Sequence, residues 1–144
     1  KADVRLVVSS TQVLSFPANG MELWANFPTE REKLLDALTE AQKDSAVMLL
    51  TGDAHYSEVS VVDTKTGGKL YDFTASGLSE HWPFDHANDH RHADFGTYHA
   101  SNVGVVEFQC KKEGTDVALQ VLDKDADVAV EMTVPLSDFT TAPL

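Results

Sequence analysis

Cysteine is almost absent from the sequence: Cys110 is the single one among 144 residues. One cysteine cannot form an intrachain disulfide, so the sequence does not indicate a redox compartment. Long apolar runs are absent as well. The longest, Ala46 to Leu50, falls far short of the about 20 residues that a membrane-spanning helix needs. We therefore expect no membrane span.

Basic residues are scarce relative to acidic ones. The chain has 11 Lys and Arg against 23 Asp and Glu, for a net charge of -12 and a pI near 4.7. Such a field repels a phosphate backbone, so we expect no nucleic-acid partner. An acidic surface suits divalent cations, high salt or plain solubility, and the charge alone does not choose among these.

The organisation of the chain indicates one domain over residues 1–144. Its hydrophobic content of 42% is ordinary for a globular protein. Repeats, charge blocks and low-complexity tracts are absent. The chain starts at Lys1 without an initiator methionine or a signal-like segment, and a strand pattern follows at once. We expect a processed product and not a complete gene product.

The first half has the pattern strand–helix–strand. An apolar run over 4–9 predicts a strand, and Thr29 and Glu32 have the spacing of a capping box at the start of a helix. The helix carries an apolar stripe and ends near Lys43; the stripe comprises Leu34, Leu35, Leu38 and Ala41. The continuous run 46–50 predicts a strand buried on both faces, which pairs in parallel with the first strand through the helix crossover.

The second half predicts antiparallel strands. Runs 57–63 and 69–76 flank a short hairpin loop, and runs 103–110 and 117–122 flank a turn at Glu113-Gly114. Residues 128–134 alternate between apolar and polar or small side chains, the pattern of a half-buried strand. Residues 81–102 lack periodicity and predict a long loop. The fold class is therefore mixed α/β, or α+β: one strand–helix–strand crossover followed by antiparallel strands.

The strongest chemical signal is Thr51-Gly52-Asp53-Ala54-His55, directly after the buried strand. In sheets with parallel strands, ligands gather at the carboxyl ends of the strands. Asp53 offers a hard oxygen and His55 an imidazole nitrogen, so both could reach one metal site. The alternative is that Asp53 caps a turn while His55 packs or faces solvent. The D-x-H spacing alone does not decide between the two.

A second signal is the density of histidine and aspartate in the long loop. Five of the six histidines lie there, at positions 81, 86, 90, 92 and 99, with Asp85, Asp89 and Asp94. Such a loop could supply further metal ligands, a proton donor or phosphate contacts. Composition alone favours a simpler interpretation, a solvated loop. His81 is the most interesting member because it follows the strand that ends at Ser76 most closely.

Three other features carry no function. Asp123, Asp125 and Asp127 copy the opening of an EF-hand loop, but Val128 and Val134 replace its glycine and its final glutamate, which favours a polar turn. A G-x-S-x-G motif is absent, so a serine hydrolase is not supported. Cys110 ends an apolar strand and is expected to be a buried small residue.

Five segments occur in an order that resembles the second half of the PhoD-like alkaline phosphatases. They are 9–12 (Ser-Ser-Thr-Gln), 22–31, 50–56 around the G-D-x-H motif, 71–78 ending in Ser-Gly-Leu, and 102–108 with its Asn-x-Gly. The resemblance implies half of a β-sandwich of the calcineurin-like metallophosphoesterase fold. It also implies phosphomonoesterase or phosphodiesterase activity at a multi-metal centre that uses iron and calcium.

The resemblance also assigns residues and partners. Asp53 and His55 align with the family's metal-binding G-D-x-H, while Gln12, Ser76 and His81 are candidates for binding substrate or supporting the ligands; it identifies no catalytic residue. The family's first half, with most of its metal ligands, has no counterpart here. We therefore expect weak metal binding, little or no hydrolysis by this chain alone, and association with that N-terminal half or with a second copy.

Two alternatives to a phosphate-ester hydrolase stay open. One is a non-catalytic, acidic, β-rich module that binds cations, and the other is a structural module that associates with itself through an exposed sheet edge. Because family members are often exported, the resemblance suggests a periplasmic or extracellular location. The sequence itself contains no targeting signal that would indicate a location.

Overall fold

The computed structural model describes residues 2–16 and 21–142, within which one α-helix and eight strands form. The helix, α1, spans Pro28–Ala41, and short 3-10 helices lie at Trp24–Asn26 and Leu136–Phe139. The strands are β1 (Val4–Val8), β2 (Ala46–Thr51), β3 (Ser57–Asp63), β4 (Lys69–Ala75), β5 (Thr97–Tyr98), β6 (Val103–Lys111), β7 (Gly114–Leu122) and β8 (Val128–Pro135).

The strands form two sheets. The first has the order β1-β2-β4-β3-β5, in which β2 pairs in parallel with β1 and β4, and β3 pairs antiparallel with β4 and β5. The second is the antiparallel sheet β6-β7-β8. The predicted crossover, both predicted hairpins and the mixed α/β class are confirmed. None of the described residues forms a helix long and apolar enough to cross a membrane.

The hydrophobic core has two parts, one on each face of the five-stranded sheet. Met48 and Phe73 contribute to the part between the two sheets, together with Leu119 of β7. Val47 and Leu49 contribute to the part beneath α1. Successive side chains of a strand point to opposite faces, so β2 is apolar from Ala46 to Leu50 because both of its faces are covered.

Helix α1 packs as its apolar stripe predicts, but its ends differ from the prediction. Leu38 is buried, and Leu34, Leu35 and Ala41 pack around the same cluster. The helix begins at Pro28, and its N-cap makes no side-chain hydrogen bond, so the predicted capping box is wrong. Proline suits the first helical position because its φ is already helical and that position needs no N–H donor. Lys43 lies beyond the last helical residue.

Two glycines allow the sheets to approach each other closely. A Cβ on Gly77 would lie 2.0 Å from Nδ2 of Asn102, and a Cβ on Gly104 would lie 2.5 Å from Cβ of Ala75. The Ser-Gly-Leu and Asn-x-Gly segments therefore meet in space, which gives both a packing role. Cys110 is exposed, so the expectation that it is buried is wrong. It pairs with Thr115 near the β6–β7 turn, at the end of the sheet.

Candidate metal and phosphate site

The Gly52-Asp53-Ala54-His55 turn leaves the carboxyl end of β2, which lies between two parallel neighbours. Asp53 has φ 65° and His55 has φ 60°, so both adopt the left-handed backbone conformation. This conformation suits glycine; other residues in it cost about 1–3 kcal/mol each and concentrate at functional sites. Aspartate and histidine tolerate it better than most residue types. Both predicted metal ligands thus occupy strained backbone positions.

The side chains of these two residues are accessible in different degrees. Asp53 is exposed, and His55 is half-buried. Nδ1 of His55 is buried and has no hydrogen-bond partner among the described residues. The nearest acidic oxygen, Oε2 of Glu80, lies 3.9 Å away, beyond hydrogen-bonding distance. A buried imidazole nitrogen without a partner is costly unless something else binds it.

The three supporting candidates lie in different places. Ser76 lies beside the turn, its Oγ 3.8 Å from where a Cβ on Gly52 would stand. Gln12 is buried and donates through Nε2 to Oε1 of Glu58 (2.7 Å) and to the Thr74 hydroxyl (3.0 Å). His81 is exposed and borders a shallow surface pocket near Lys124, and it precedes Trp82, whose N–H donates to the His55 carbonyl at 2.8 Å. The structure therefore places the Ser76 hydroxyl beside the turn, whereas the Gln12 side chain is engaged by Glu58 and Thr74 and the His81 side chain is exposed.

The donor set of the turn fits a metal ion but does not complete its coordination. Asp53 and His55 supply an oxygen and a nitrogen, donor types that iron and other transition metals accept. Within residues 2–16 and 21–142, no group of three or more His, Cys, Asp or Glu side chains converges. A metal ion at this turn would need further ligands besides these two.

A buried carboxylate that sequence reasoning missed holds the long loop against the sheet. Glu58 of β3 is fully buried; its Oε1 accepts from Gln12 and from Nδ2 of Asn88 (2.9 Å), and its Oε2 accepts from Nε of Arg91 (2.6 Å). Arg91 also pairs with Oδ2 of Asp85 at 2.5 Å. Burial by itself would lower the pKa of Arg91. The hydrogen bond and the charge of Glu58 outweigh this effect, so the pKa of Arg91 is raised above its ordinary value.

A second buried acid, Asp72, anchors the segment around Val13 and Leu14 and also binds Thr51, the residue before the turn. Oδ2 of Asp72 accepts the backbone N–H groups of Val13 and Leu14, both at 2.9 Å, and Oδ1 accepts the Thr51 hydroxyl at 2.5 Å. Burial raises the pKa of Asp72, although these hydrogen bonds act in the opposite direction. Thr51 is the last residue before the turn, so this acid fixes the point from which the turn departs.

The histidines of the long loop do not gather at one point. His90 stacks on Phe16 at 4.7 Å between ring centroids, and burial, with the charge of Arg31, lowers its pKa. His99 bonds the Trp82 carbonyl and the Thr97 hydroxyl, each at 3.0 Å. Arg91 and the short strand β5 tie the loop to the sheet, while most of its residues stay exposed or half-buried, as the solvated-loop interpretation predicts.

No family model matches the chain, and no curated protein matches it significantly. Among solved structures, the chain is similar over 90% of its length to one described as "Structure of PhoD", with 17% sequence identity and a TM-score of 0.44. The match covers 31% of that chain, so the present chain spans less than a third of its length. Similarity at this level establishes neither a family nor an activity.

Proposed function

We propose that the chain is the C-terminal portion of a metal-dependent phosphoester hydrolase of the alkaline phosphatase or phosphodiesterase type. The observation that carries the proposal is the Asp53–His55 turn, where two residues with metal-binding side chains share a strained backbone at the end of a central parallel strand. The ordered resemblance of five sequence segments supports the same assignment. The proposed metals, iron and calcium, follow from that resemblance.

Each residue of the turn has a proposed task. The Asp53 carboxylate and the His55 imidazole hold the metal. Gly52 allows the backbone to lie close to the Ser10 carbonyl, whose oxygen would be 3.4 Å from a Cβ at position 52. The Ser76 hydroxyl, beside the turn, donates to a phosphate oxygen. A bound metal supplies two effects: it lowers the pKa of a water, and it offsets the charge that develops on phosphorus oxygens.

Within residues 2–16 and 21–142, one edge of the first sheet is unpaired and could receive a partner chain. β1 is the edge strand, and its Leu6 and Val8 side chains are exposed. An exposed apolar edge strand offers unpaired backbone groups to another chain. We propose that this edge receives the N-terminal half of the same enzyme, which brings the remaining metal ligands. Binding of a second copy at this edge is the alternative.

Hydrolysis of p-nitrophenyl phosphate at alkaline pH, with calcium and iron added, tests this function. The assay compares the chain alone, the chain mixed with the first half of a PhoD-like phosphatase, and mixtures carrying Asp53→Asn or His55→Ala. We expect activity in the mixture and its loss in both variants. Asp94→Asn removes an exposed loop acid and serves as the matched control that keeps activity. An assembled mixture without activity would contradict the proposal.

A second candidate, a non-catalytic cation-binding module, is favoured by the net charge of -12. In that case calcium would bind to distributed surface carboxylates. Its affinity would respond to salt but not to Asp53→Asn. Calorimetric titration of both forms with calcium separates the two functions, because a specific site loses affinity when one of its ligands is removed.

A further inference from the structure

The Trp82 ring of the long loop lies next to the His55 imidazole, and the Phe84 ring lies next to Trp82. The Trp82 ring centroid lies 4.5 Å from that of His55, and the Phe84 ring stacks on Trp82 at 5.4 Å with an interplanar angle of 24°. His86 meets both aromatic rings edge-on at 6.2 Å. Phe84 is 52% exposed. A contiguous aromatic surface beside polar, strained residues is typical of a ligand site.

The backbone of Trp82 is fixed on both sides. Its N–H donates to the His55 carbonyl at 2.8 Å, and its carbonyl contacts Nδ1 of His99 at 3.0 Å. The His86 carbonyl accepts from Nη2 of Arg91 at 2.7 Å, which ties the end of this segment to the buried Glu58 pair. The backbone on both sides of Phe84 is therefore fixed before any ligand arrives, which lowers the entropic cost of binding.

We propose that Trp82 and Phe84 form an aryl-binding face that selects phosphate esters with a planar aromatic organic group. This inference rests on the proposed function, because it places the phosphate at the Asp53–His55 turn. An ester whose phosphorus lies there has its organic group within reach of Trp82. Aromatic rings prefer offset-stacked or edge-to-face contacts with other rings, and an alkyl group gains less from such a surface.

The charge of the protein favours a small ester over a polymer. With a net charge of -12, the protein repels a chain of many phosphates far more than it repels one. The expected ligand is therefore a single aryl phosphate and not a polynucleotide.

A pair of non-hydrolysable probes isolates the aryl face. Phenylphosphonate and methylphosphonate share one head group and differ only in the ring. The sequence has two tryptophans, so a Trp24→Phe background leaves Trp82 as the only fluorescent indole. In this background we expect phenylphosphonate to change the fluorescence. By calorimetry we expect it to bind about tenfold more tightly than methylphosphonate, a ratio worth about 1.4 kcal/mol.

Phe84→Leu removes one of the two rings, so it should reduce this preference and leave methylphosphonate affinity unchanged. Phe84 is half exposed, so the variant should fold, and circular dichroism verifies this. The matched control is Phe27→Leu, which removes a ring of similar exposure (62%) before α1 and should keep the tenfold ratio. Equal affinities for the two probes would overturn the inference. So would a Phe84→Leu variant that weakens both probes alike, because the ring would then serve only the structure.

The outcomes also separate the inference from the proposed function. The ratio of the two affinities reports the aryl face, and the effect of Asp53→Asn on methylphosphonate binding with calcium present reports the metal site. A tenfold ratio of the two affinities, with no effect of Asp53→Asn on methylphosphonate binding, would support the aryl face and contradict the metal site. Failure of phenylphosphonate to bind both to the chain alone and to the chain assembled with the first half of a PhoD-like phosphatase would overturn the inference.

Discussion

Removing Arg91 should cost a large share of the free energy of unfolding. Its Nε lies 2.6 Å from the fully buried Glu58 carboxylate, and Arg91→Met keeps the stem but deletes the charge. Removing one partner of a buried ion pair costs about 3–5 kcal/mol. The Arg91 side chain is 22% exposed, and Glu58 keeps its amide donors from Gln12 and Asn88. We therefore expect the lower end of that range, about 3 kcal/mol.

Urea denaturation followed by circular dichroism measures this loss. With an m-value of about 2 kcal/mol/M, a loss of about 3 kcal/mol lowers the midpoint by about 1.5 M. Domains are typically stable by about 5–15 kcal/mol, so the variant should still fold. Because Arg91 also ties down the loop through Asp85 and the His86 carbonyl, amide exchange in that loop should accelerate as well.

Two further variants test the reasoning behind this magnitude. Combining Glu58→Gln with Arg91→Met removes the unpaired buried charge and should recover more than half of the loss. Lys65→Met breaks an exposed pair with Asp36 and should leave the midpoint nearly unchanged. The reasoning is refuted if Arg91→Met costs less than about 0.5 kcal/mol, the usual effect of a surface change, or if the double variant is no more stable than Arg91→Met.

Three other predictions concern packing and ionisation. Gly104→Ala would place its Cβ 2.5 Å from the Cβ of Ala75. Such overpacking lowers the free energy of unfolding by about 1–3 kcal/mol, so the melting temperature should fall. Adding Ala75→Gly should recover most of this fall. Burial raises the pKa of Asp72, so the contribution of Asp72 to stability falls as the pH rises from about 4, the pKa in the unfolded chain, through the folded pKa. Urea midpoints measured across this pH range should therefore decline, and Asp72→Asn should flatten the decline. An unchanged slope in the variant would contradict this prediction. Burial raises the pKa of both Tyr56 and Tyr71 to about 12. An absorbance titration should show both ionising late, and full ionisation near the ordinary pKa of about 10 would contradict this.

Local patterns in the sequence were sufficient to predict most elements of the fold. The run 46–50 is apolar at every position because β2 is covered on both faces, and the alternation at 128–134 follows one-sided burial of β8. The start of α1 was misplaced by one residue because Thr29 and Glu32 match a capping box, whereas Pro28 already satisfies the first helical position.

The candidate site was predictable only in part. The Gly52–His55 motif could be located because its residues are adjacent in sequence and follow a recognisable strand. The burial of Gln12 against Glu58 could not be predicted, and neither could the dispersal of the loop histidines. A histidine-rich composition indicates what a loop could bind, but the backbone path decides whether those side chains meet.

The sequence by itself determined the order of the helix and of every strand except β5, the hairpins and the position of the Gly52–His55 turn, because each depends on residues close together in the chain. Only the tertiary structure decided which polar groups are buried together. Glu58 meets Arg91 across 33 residues and Gln12 across 46, and Asp72 meets Val13 across 59. Periodicity reports whether a residue faces the interior, but it carries no information about the distant partner that makes burial of a charge tolerable.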